Sequence, residues 1–278
     1  IGIKMKNVIL FGYGKMGSSI AKGWKLSDID FNIFIIETNI HFKNQAVNDG
    51  FDSFNDIKQL LSVKNIKNLD IIFLAVKPQQ MSLLIKQIQE FDIQNTIFLS
   101  IAAGLSFEWF EKNLYKNIKI IRAMPNTPAS VRRGVTGYCK SNNVTELEKN
   151  EAHKLLSSIG KAIFLNSESL IDVVTSISGS GPAYIFYLVE VLTEIGITEG
   201  LDEKDAKLIA LETLIGSAKL LDITNIDPKI LRNNVTSPGG TTEAALEILT
   251  SSKSGLLPLL KSTIKFAKKR AEDLNSNN

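Results

Sequence analysis

Three glycines near the amino terminus have the spacing of a dinucleotide-binding turn. Gly12, Gly14 and Gly17 follow the apolar residues 8–11 and precede a segment with helical spacing. In this G-x-G-x-x-G pattern the first glycine allows a tight turn, the second lets a pyrophosphate approach the backbone, and the third lets helix and strand pack closely. The helix then offers free N–H groups and a partial positive charge to the phosphates. A plain turn would explain the glycines alone, but the flanking elements and an acidic residue at the expected distance, Glu37, favour dinucleotide binding.

Residues 233–243 contain a second candidate anion site. Pro238 holds Ser237 extended, and the two glycines that follow, Gly239 and Gly240, allow the backbone to turn sharply. A helix starts at the next threonines, so N–H groups and hydroxyl groups gather at its N-terminus and suit a carboxylate. A capped helix start that binds nothing explains the same pattern, and the residues alone leave both interpretations open.

Two further side chains are candidates for acid catalysis, each with a simpler explanation. Lys77 follows a predicted strand and precedes Pro78, which fits the first position of a helix. It is either an acid or an exposed turn residue beside the cofactor, and nothing in the sequence desolvates it. Tyr184 follows the small residues 178–181, which permit close approach of a ligand or another backbone. It is either a proton donor or part of the core.

Side chains that could take a hydroxyl proton are scarce. Enzymes that oxidise alcohols with a nicotinamide usually use His, Lys or Tyr in that role. We expect His41 and His153 to be solvated, and no lysine falls on the first helix of the C-terminal half. A protonated imine already carries its proton and positive charge, so hydride reaches an activated carbon and positioning supplies most of the rate. This pattern favours reduction of a C=N bond.

Glu37 and the residues after it affect the choice between NADH and NADPH. Glu37 lies twenty residues after Gly17, at the end of the second predicted strand. An acidic side chain there accepts hydrogen bonds from the adenosine ribose and repels a 2′-phosphate, which favours NADH. Thr38 and Asn39 would instead hydrogen-bond a 2′-phosphate if Glu37 turned away. The choice stays open at this stage.

The elements that must position these residues alternate between strands and helices up to residue 166. Strands are predicted at 8–11, 31–37, 70–76, 96–101, 118–122, 134–139 and 162–165, and helices at 42–48, 56–61, 81–91, 107–112 and 147–159. This alternation predicts an α/β fold with a mostly parallel, doubly wound, Rossmann-like sheet. Ligands bind beyond the carboxyl ends of such strands. We therefore predict a Rossmann dinucleotide-binding domain over residues 1–166.

From residue 167 to residue 278 the pattern becomes helical. Helices are predicted at 170–176, 183–197, 202–221, 242–249 and 256–274. Residues 184–189 are apolar all round, so a helix there must be covered on every side. A domain this small cannot supply that cover alone. We therefore predict an all-α substrate domain that also dimerises, with interleaved helices from a partner subunit.

Composition excludes several classes of partner. A formal net charge of +3 with scattered basic residues does not indicate nucleic-acid binding. The single cysteine, Cys139, excludes an intrachain disulfide, and one Cys with two His makes a His/Cys metal site improbable, so no metal is predicted. The most apolar helical stretch, 183–192, is interrupted by Glu190 and is too short to span a bilayer. No secretory signal is recognised, so the expected location is the cytoplasm or an organelle interior.

Six motifs together resemble pyrroline-5-carboxylate reductase, and the resemblance runs from residue 7 to about residue 268. The motifs lie at residues 12–17, 75–79, 100–104, 122–128, 178–184 and 237–242. The last two are the most specific, because other dehydrogenases with a helical C-terminal domain do not carry them together. The resemblance implies a proline-biosynthesis oxidoreductase that reduces 1-pyrroline-5-carboxylate to L-proline with NADPH or NADH. It also implies a homodimer formed through the helical domain, and such dimers often assemble into decamers.

The resemblance further implies which residues bind the two ligands. Cofactor contacts would fall on Gly12, Tyr13, Gly14, Lys15, Met16, Gly17, Thr38, Asn39, Asn55, Ala75, Val76, Lys77 and Ala103. The substrate carboxylate would lie on Ser237, Gly239, Gly240, Thr241 and Thr242, with the Thr242 hydroxyl as the candidate catalytic group at the ring nitrogen. Glu37 departs from the family, whose NADPH-preferring members tend to have a small neutral residue near that position.

Two other functions fit parts of the sequence. A hydroxyacid dehydrogenase of similar two-domain architecture would need an active-site lysine early in the helical half, and none precedes Lys204 there. A non-catalytic NADPH-binding sensor would bind the cofactor without turnover.

Overall fold

The amino-terminal part of the chain forms an eight-stranded sheet. The structure is a computed structural model and describes residues 5–27, 29–64, 66 and 68–276. The strands are β1 (Lys6–Phe11), β2 (Phe31–Ile36), β3 (Asp52–Phe54), β4 (Ile71–Leu74), β5 (Ile97–Ser100), β6 (Ile120–Met124), β7 (Gly134–Lys140) and β8 (Gly160–Phe164). Their order is β3-β2-β1-β4-β5-β6-β7-β8, and every neighbouring pair is parallel except β6 and β7. The predicted doubly wound, mostly parallel sheet is confirmed.

Helices connect the strands and cover the sheet. They are α1 (Lys15–Leu26), α2 (Ile40–Asn48), α3 (Ile57–Lys64), α4 (Pro78–Ile88), α5 (Phe107–Asn113) and α6 (Glu146–Ser157). A 3₁₀ turn spans Thr127–Val131, and after β8 the chain forms α7 (Leu170–Val174) and a π-helical turn, Thr175–Gly179.

The core lies on both faces of the sheet. In β1, Val8 and Leu10 belong to one apolar cluster, whereas Ile9 and Phe11 belong to another. Because successive side chains of a strand point to opposite faces, the two clusters are the two sides of the sheet. All four side chains are buried, which explains why β1 reads as an unbroken apolar run. Such a strand leaves only its ends available for function.

The rest of the chain is helical, as predicted. It forms α8 (Gly181–Thr198), α9 (Glu203–Thr224), α10 (Pro228–Asn234), α11 (Thr241–Leu249) and α12 (Leu256–Ser276). By its internal contacts, one compact unit comprises the residues up to Gly179 with the end of α12 from Lys268, and the second comprises Ser180–Ala267. The boundary between residues 166 and 167 stays a prediction.

Helix α8 exposes large apolar side chains. It packs on α9 through small residues, since a Cβ on Gly196 would lie 3.1 Å from the Cβ of Ala206. None of its described residues is buried, and Phe186 and Tyr187 are 61% and 66% exposed. Several neighbouring residues of α8 and α9 share this exposure, namely Ile185, Leu188, Leu192, Leu208 and Ile209. An apolar surface of this kind marks an interaction site.

No helix among the described residues is both long enough and apolar enough to cross a membrane.

Candidate active site

The glycine-rich turn connects β1 to α1 and lies between β2 and β4. Gly12 donates its N–H to the carbonyl of Ile36 at 2.9 Å and has a φ of 93°, a conformation that favours glycine. A Cβ on Gly12 would lie 2.8 Å from the carbonyl oxygen of Ala75, and a Cβ on Gly17 would overlap the carbonyl oxygen of Gly12. The first and third glycines are therefore required by the packing of the protein itself.

Gly14 has a different reason to be glycine. It is the N-cap of α1 with φ −67° and ψ −168°, which any residue can adopt, and no atom lies within 4 Å of a Cβ built on it. As a glycine, the N-cap residue has no side chain with which to accept the first N–H groups of α1, and the space beside its Cα is open. This cradle fits a diphosphate, which would accept those N–H groups and benefit from the helix dipole.

Two cavities flank Gly14 and share it with Ala75, Val76 and Lys77. The larger has a volume of about 730 Å³ and the smaller about 330 Å³. Of the residues predicted for the cofactor, the larger cavity is lined by Gly12, Gly14, Thr38, Asn39, Asn55, Ala75, Val76 and Lys77. The smaller is lined by Gly14, Lys15, Met16, Ala75, Val76, Lys77 and Ala103. The fold thus gathers residues from the ends of β1, β2, β4 and β5 at one edge of the sheet.

The remaining two residues predicted to contact the cofactor, Tyr13 and Gly17, line neither cavity. The side chain of Tyr13 is fully buried, and its hydroxyl donates to the Asp49 carboxylate at 2.9 Å. Burial, reinforced by this carboxylate, raises the pKa of the Tyr13 hydroxyl well above its ordinary value. Gly17 packs α1 onto β1. Tyr13 and Gly17 therefore shape the turn, and Tyr13 presents only its backbone towards Glu37.

Glu37 binds the turn rather than pointing away from it. One carboxylate oxygen accepts the N–H of Tyr13 at 2.7 Å, and the other accepts the N–H of Asn39 at 2.7 Å. The Asn39 side chain in turn caps α2 by accepting the N–H groups of His41 and Phe42. Glu37 thus lines the larger cavity with its charge fixed by two backbone donors.

The loop after β5 lines the smaller cavity and is anchored by Glu168. One carboxylate oxygen of Glu168 accepts the N–H of Phe107 at 2.7 Å and the Arg122 guanidinium at 2.6 Å. Arg122 is buried on β6, so this charged pair ties the start of α5 to the sheet. On the other side of the loop, a Cβ on Gly104 would lie 3.0 Å from the Cβ of Leu274. Sequence reasoning gave none of these residues an individual role, because the contacts join distant segments.

The two candidate acids from the sequence do not stand out in the structure. Lys77 is the exposed N-cap of α4, which favours its interpretation as a turn residue beside the cofactor. Tyr184 lies half-buried near the start of α8.

Within the described part of the chain, no group of three His, Cys, Asp or Glu side chains could hold a metal.

The turn after Pro238 forms the start of α11. Gly239 has a φ of 70°, Gly240 is the N-cap without a side-chain cap, and the Gly240 N–H donates to the carbonyl of Ser237 at 3.0 Å. The Gly239 N–H donates to the carboxylate of Glu243 at 2.7 Å. The chain therefore already places one of its own carboxylates on this turn. Sequence reasoning did not assign a role to Glu243, although an acidic residue in the first turn of a helix is a familiar capping signal.

Comparisons with known proteins cover most of the chain. Residues 168–274 match the family model described as pyrroline-5-carboxylate reductase dimerisation, and residues 7–104 match that of the coenzyme F420-dependent NADP oxidoreductases. The chain is 33% identical to the pyrroline-5-carboxylate reductase of Aquifex aeolicus, with 94% of this chain and 96% of the relative covered. It is also 33% identical to that of Arabidopsis thaliana, with 96% and 94% covered.

Solved structures give the same result. The chain superposes on the pyrroline-5-carboxylate reductase of Coxiella burnetii with a TM-score of 0.88 at 33% identity, covering 98% of this chain and 99% of the other. It superposes on Plasmodium falciparum pyrroline carboxylate reductase with NADP bound with a TM-score of 0.81 at 26% identity, covering 99% and 100%.

Proposed function

Because this chain belongs to the pyrroline-5-carboxylate reductase family, we propose that the turn at Gly12–Gly17 holds its nicotinamide cofactor and the turn after Pro238 holds its substrate. The enzyme is an NAD(P)H-dependent oxidoreductase that reduces 1-pyrroline-5-carboxylate to L-proline. The hydroxyacid dehydrogenase and the non-catalytic sensor are not favoured, because relatives that match over nearly the full length are reductases of this one substrate.

The cofactor site follows the two cavities. The reduced nicotinamide supplies the hydride, and the residues of the chain bind and orient the molecule that carries it. The open N–H groups at the start of α1 receive the diphosphate beside Gly14. Thr38, Asn39 and Asn55 hold the adenosine half in the larger cavity, and Lys15, Met16 and Ala103 border the nicotinamide half in the smaller one. The volumes and the shared residues of the two cavities support this division.

The substrate site is the turn that begins α11. Ser237, Gly239, Gly240, Thr241 and Thr242 offer N–H and hydroxyl groups to the carboxylate of pyrroline-5-carboxylate. The observation that supports this assignment is that Gly240 is the N-cap of α11 and has no side-chain cap. The Glu243 carboxylate, which accepts the Gly239 N–H, would have to give up that hydrogen bond to a substrate carboxylate. The Thr242 hydroxyl hydrogen-bonds the ring nitrogen and holds the imine in place. The protonated imine already carries its charge, so this contact orients rather than activates it.

The helical domain serves as the dimer interface. The exposed apolar face of α8 and α9 supports a homodimer in which a second copy covers Phe186, Tyr187 and their neighbours. Further assembly into decamers is part of the proposal. A cytoplasmic location is also proposed, since the one cysteine, Cys139, is a buried free thiol that suits a reducing compartment.

A direct assay tests the proposed function. The purified chain is mixed with pyrroline-5-carboxylate and either NADPH or NADH, and the loss of reduced-nicotinamide absorbance is followed together with proline formation. Stoichiometric conversion is expected. Binding of a cofactor without turnover of the substrate, or of proline in the reverse direction at high pH, would instead indicate a sensor.

A further inference from the structure

We propose that Glu37 makes this reductase select NADH over NADPH. The proposal rests on the cofactor site proposed above and adds to it the identity of the group that discriminates between the two cofactors. The two differ only in a phosphate on the 2′-oxygen of the adenosine ribose. A carboxylate at the end of β2 meets that part of the molecule in a sheet of this topology.

The hydrogen bonds of Glu37 define what this end of the larger cavity can accept. The Tyr13 N–H and the Asn39 N–H both donate to the Glu37 carboxylate, each at 2.7 Å. A 2′-phosphate would need such donors and would find a negative charge in their place. A ribose hydroxyl donates hydrogen bonds, and a carboxylate has lone pairs left to accept them.

A network of interactions around Tyr13 holds the turn that Glu37 binds. The Tyr13 ring is fully buried, its hydroxyl donates to Asp49 at 2.9 Å, and Lys22 pairs with Asp49 at 3.0 Å. This network fixes the peptide whose N–H faces Glu37. Moving the carboxylate aside would break both of its backbone hydrogen bonds, and the charge of the carboxylate makes each of them stronger than a hydrogen bond between neutral groups.

The other charges around the cavity do not compensate for Glu37. The charged residues that line it are three acids and two lysines, namely Glu37, Asp56, Glu90, Lys58 and Lys77, and no arginine lines it in the described part of the chain. Lys58 already pairs with Glu90 at 2.7 Å. Lys43, on the neighbouring helix α2, donates to the Asn55 side chain at 2.7 Å. The lining is thus acidic overall, which suits a hydroxyl better than a phosphate dianion.

The test uses fragments that carry only the discriminating group. Adenosine 5′-monophosphate (AMP) and adenosine 2′,5′-bisphosphate (2′,5′-ADP) differ only by the 2′-phosphate, and their dissociation constants can be measured by calorimetry without any turnover. For the unchanged protein we expect AMP to bind at least about tenfold more tightly than 2′,5′-ADP, the ratio that corresponds to 1.4 kcal/mol of like-charge repulsion. For Glu37→Ala we expect that ratio to fall by about tenfold or more, because the Tyr13 and Asn39 N–H groups become free.

Asp56→Asn is the matched control. Asp56 lines the same cavity and carries the same charge, but its carboxylate accepts the N–H of Gln59 within α3. Removing this charge should change the ratio by about twofold or less. Glu37→Gln keeps the size of the side chain and provides a second variant if Glu37→Ala melts at a much lower temperature. The ratio of kcat/KM for NADH and NADPH should follow the binding ratio in each variant.

Three results would overturn the selection by Glu37. They are equal or tighter binding of 2′,5′-ADP to the unchanged protein, an unaltered ratio in both Glu37 variants, and an equal change in Asp56→Asn. The failure of the proposed function would look different, since neither nucleotide would bind or neither cofactor would support turnover.

Discussion

A methyl group added at Gly14 should weaken cofactor binding without destabilising the fold, whereas the same change at Gly17 should destabilise the fold itself. Both glycines belong to the same motif, and the sequence alone does not predict different effects for the two substitutions. The structure separates them, because a Cβ on Gly14 has no neighbour within 4 Å. A Cβ on Gly17 would overlap the carbonyl oxygen of Gly12 and approach its carbonyl carbon to 3.0 Å.

The expected magnitudes follow from these contacts. Alanine adopts the φ of −67° at Gly14 without strain, and its smaller unfolded-state entropy stabilises by about 0.4–1 kcal/mol. Alanine is a poorer N-cap than glycine, which offsets that gain to within about 1 kcal/mol. The methyl group then stands in the space that we propose for the diphosphate. Overpacking of one methyl group costs about 1–3 kcal/mol, so the Kd for NADH or ADP should rise by about 5- to 150-fold.

For Gly17→Ala the same overpacking cost falls on the native fold, because the clash is with backbone. We expect a loss of about 3 kcal/mol or more, since a carbonyl oxygen cannot rotate away as a flexible side chain can. In a protein of this size that loss lowers the Tm by about 6 °C or more.

Two measurements separate the outcomes. Calorimetric titration with ADP gives the Kd, and thermal melting followed by circular dichroism gives the Tm. We expect a raised Kd with an unaltered Tm for Gly14→Ala and a lowered Tm for Gly17→Ala. Binding of ADP to Gly14→Ala as tight as to the unchanged protein, or an equal loss of thermal stability in the two variants, would refute the different roles of the two glycines.

Three further predictions concern the substrate turn, the apolar helix and the cysteine. Thr242→Ala should lower kcat/KM for pyrroline-5-carboxylate by about 10- to 100-fold, with Thr242→Ser retaining most activity, and unchanged kinetics would remove Thr242 from the site. Phe186→Glu should shift the mass measured by sedimentation to that of a monomer. Leu147→Glu changes a similarly exposed residue of α6 and should leave the mass unchanged. Equal masses for the two variants would contradict a dimer interface on α8. Burial raises the pKa of the Cys139 thiol to about 12, so only about 10⁻⁴ of it is thiolate at pH 8 and a disulfide reagent should modify it only after unfolding. Rapid modification of the native protein would disprove that burial.

Much of the fold was predictable because its periodicities are strong. The buried strands β1, β4 and β5 read as apolar runs, and the second half reads as helices, and both are confirmed. Strand β3 was missed because Asp52–Phe54 has three residues and only one buried side chain. The π-helical turn at Thr175–Gly179 was also missed, since its sequence continues the helical spacing of α7. Short or distorted elements are set by the neighbours they pair with and not by their own pattern.

The sequence by itself determined the alternation of strands and helices, the glycine-rich turn and the family, because local spacing encodes each of them. Only the tertiary structure decided where Glu37 goes. Its two oxygens bind Tyr13 and Asn39 because β2 lies beside β1, in the register that pairs Phe11 with Ile36. The folded chain was also needed to distinguish the surroundings of Gly14 from those of Gly17, and to find the hydrogen bond from the Gly239 N–H to the Glu243 carboxylate. Hydrogen bonds and clashes of this kind depend on the three-dimensional placement of atoms, which residue types and spacing do not specify.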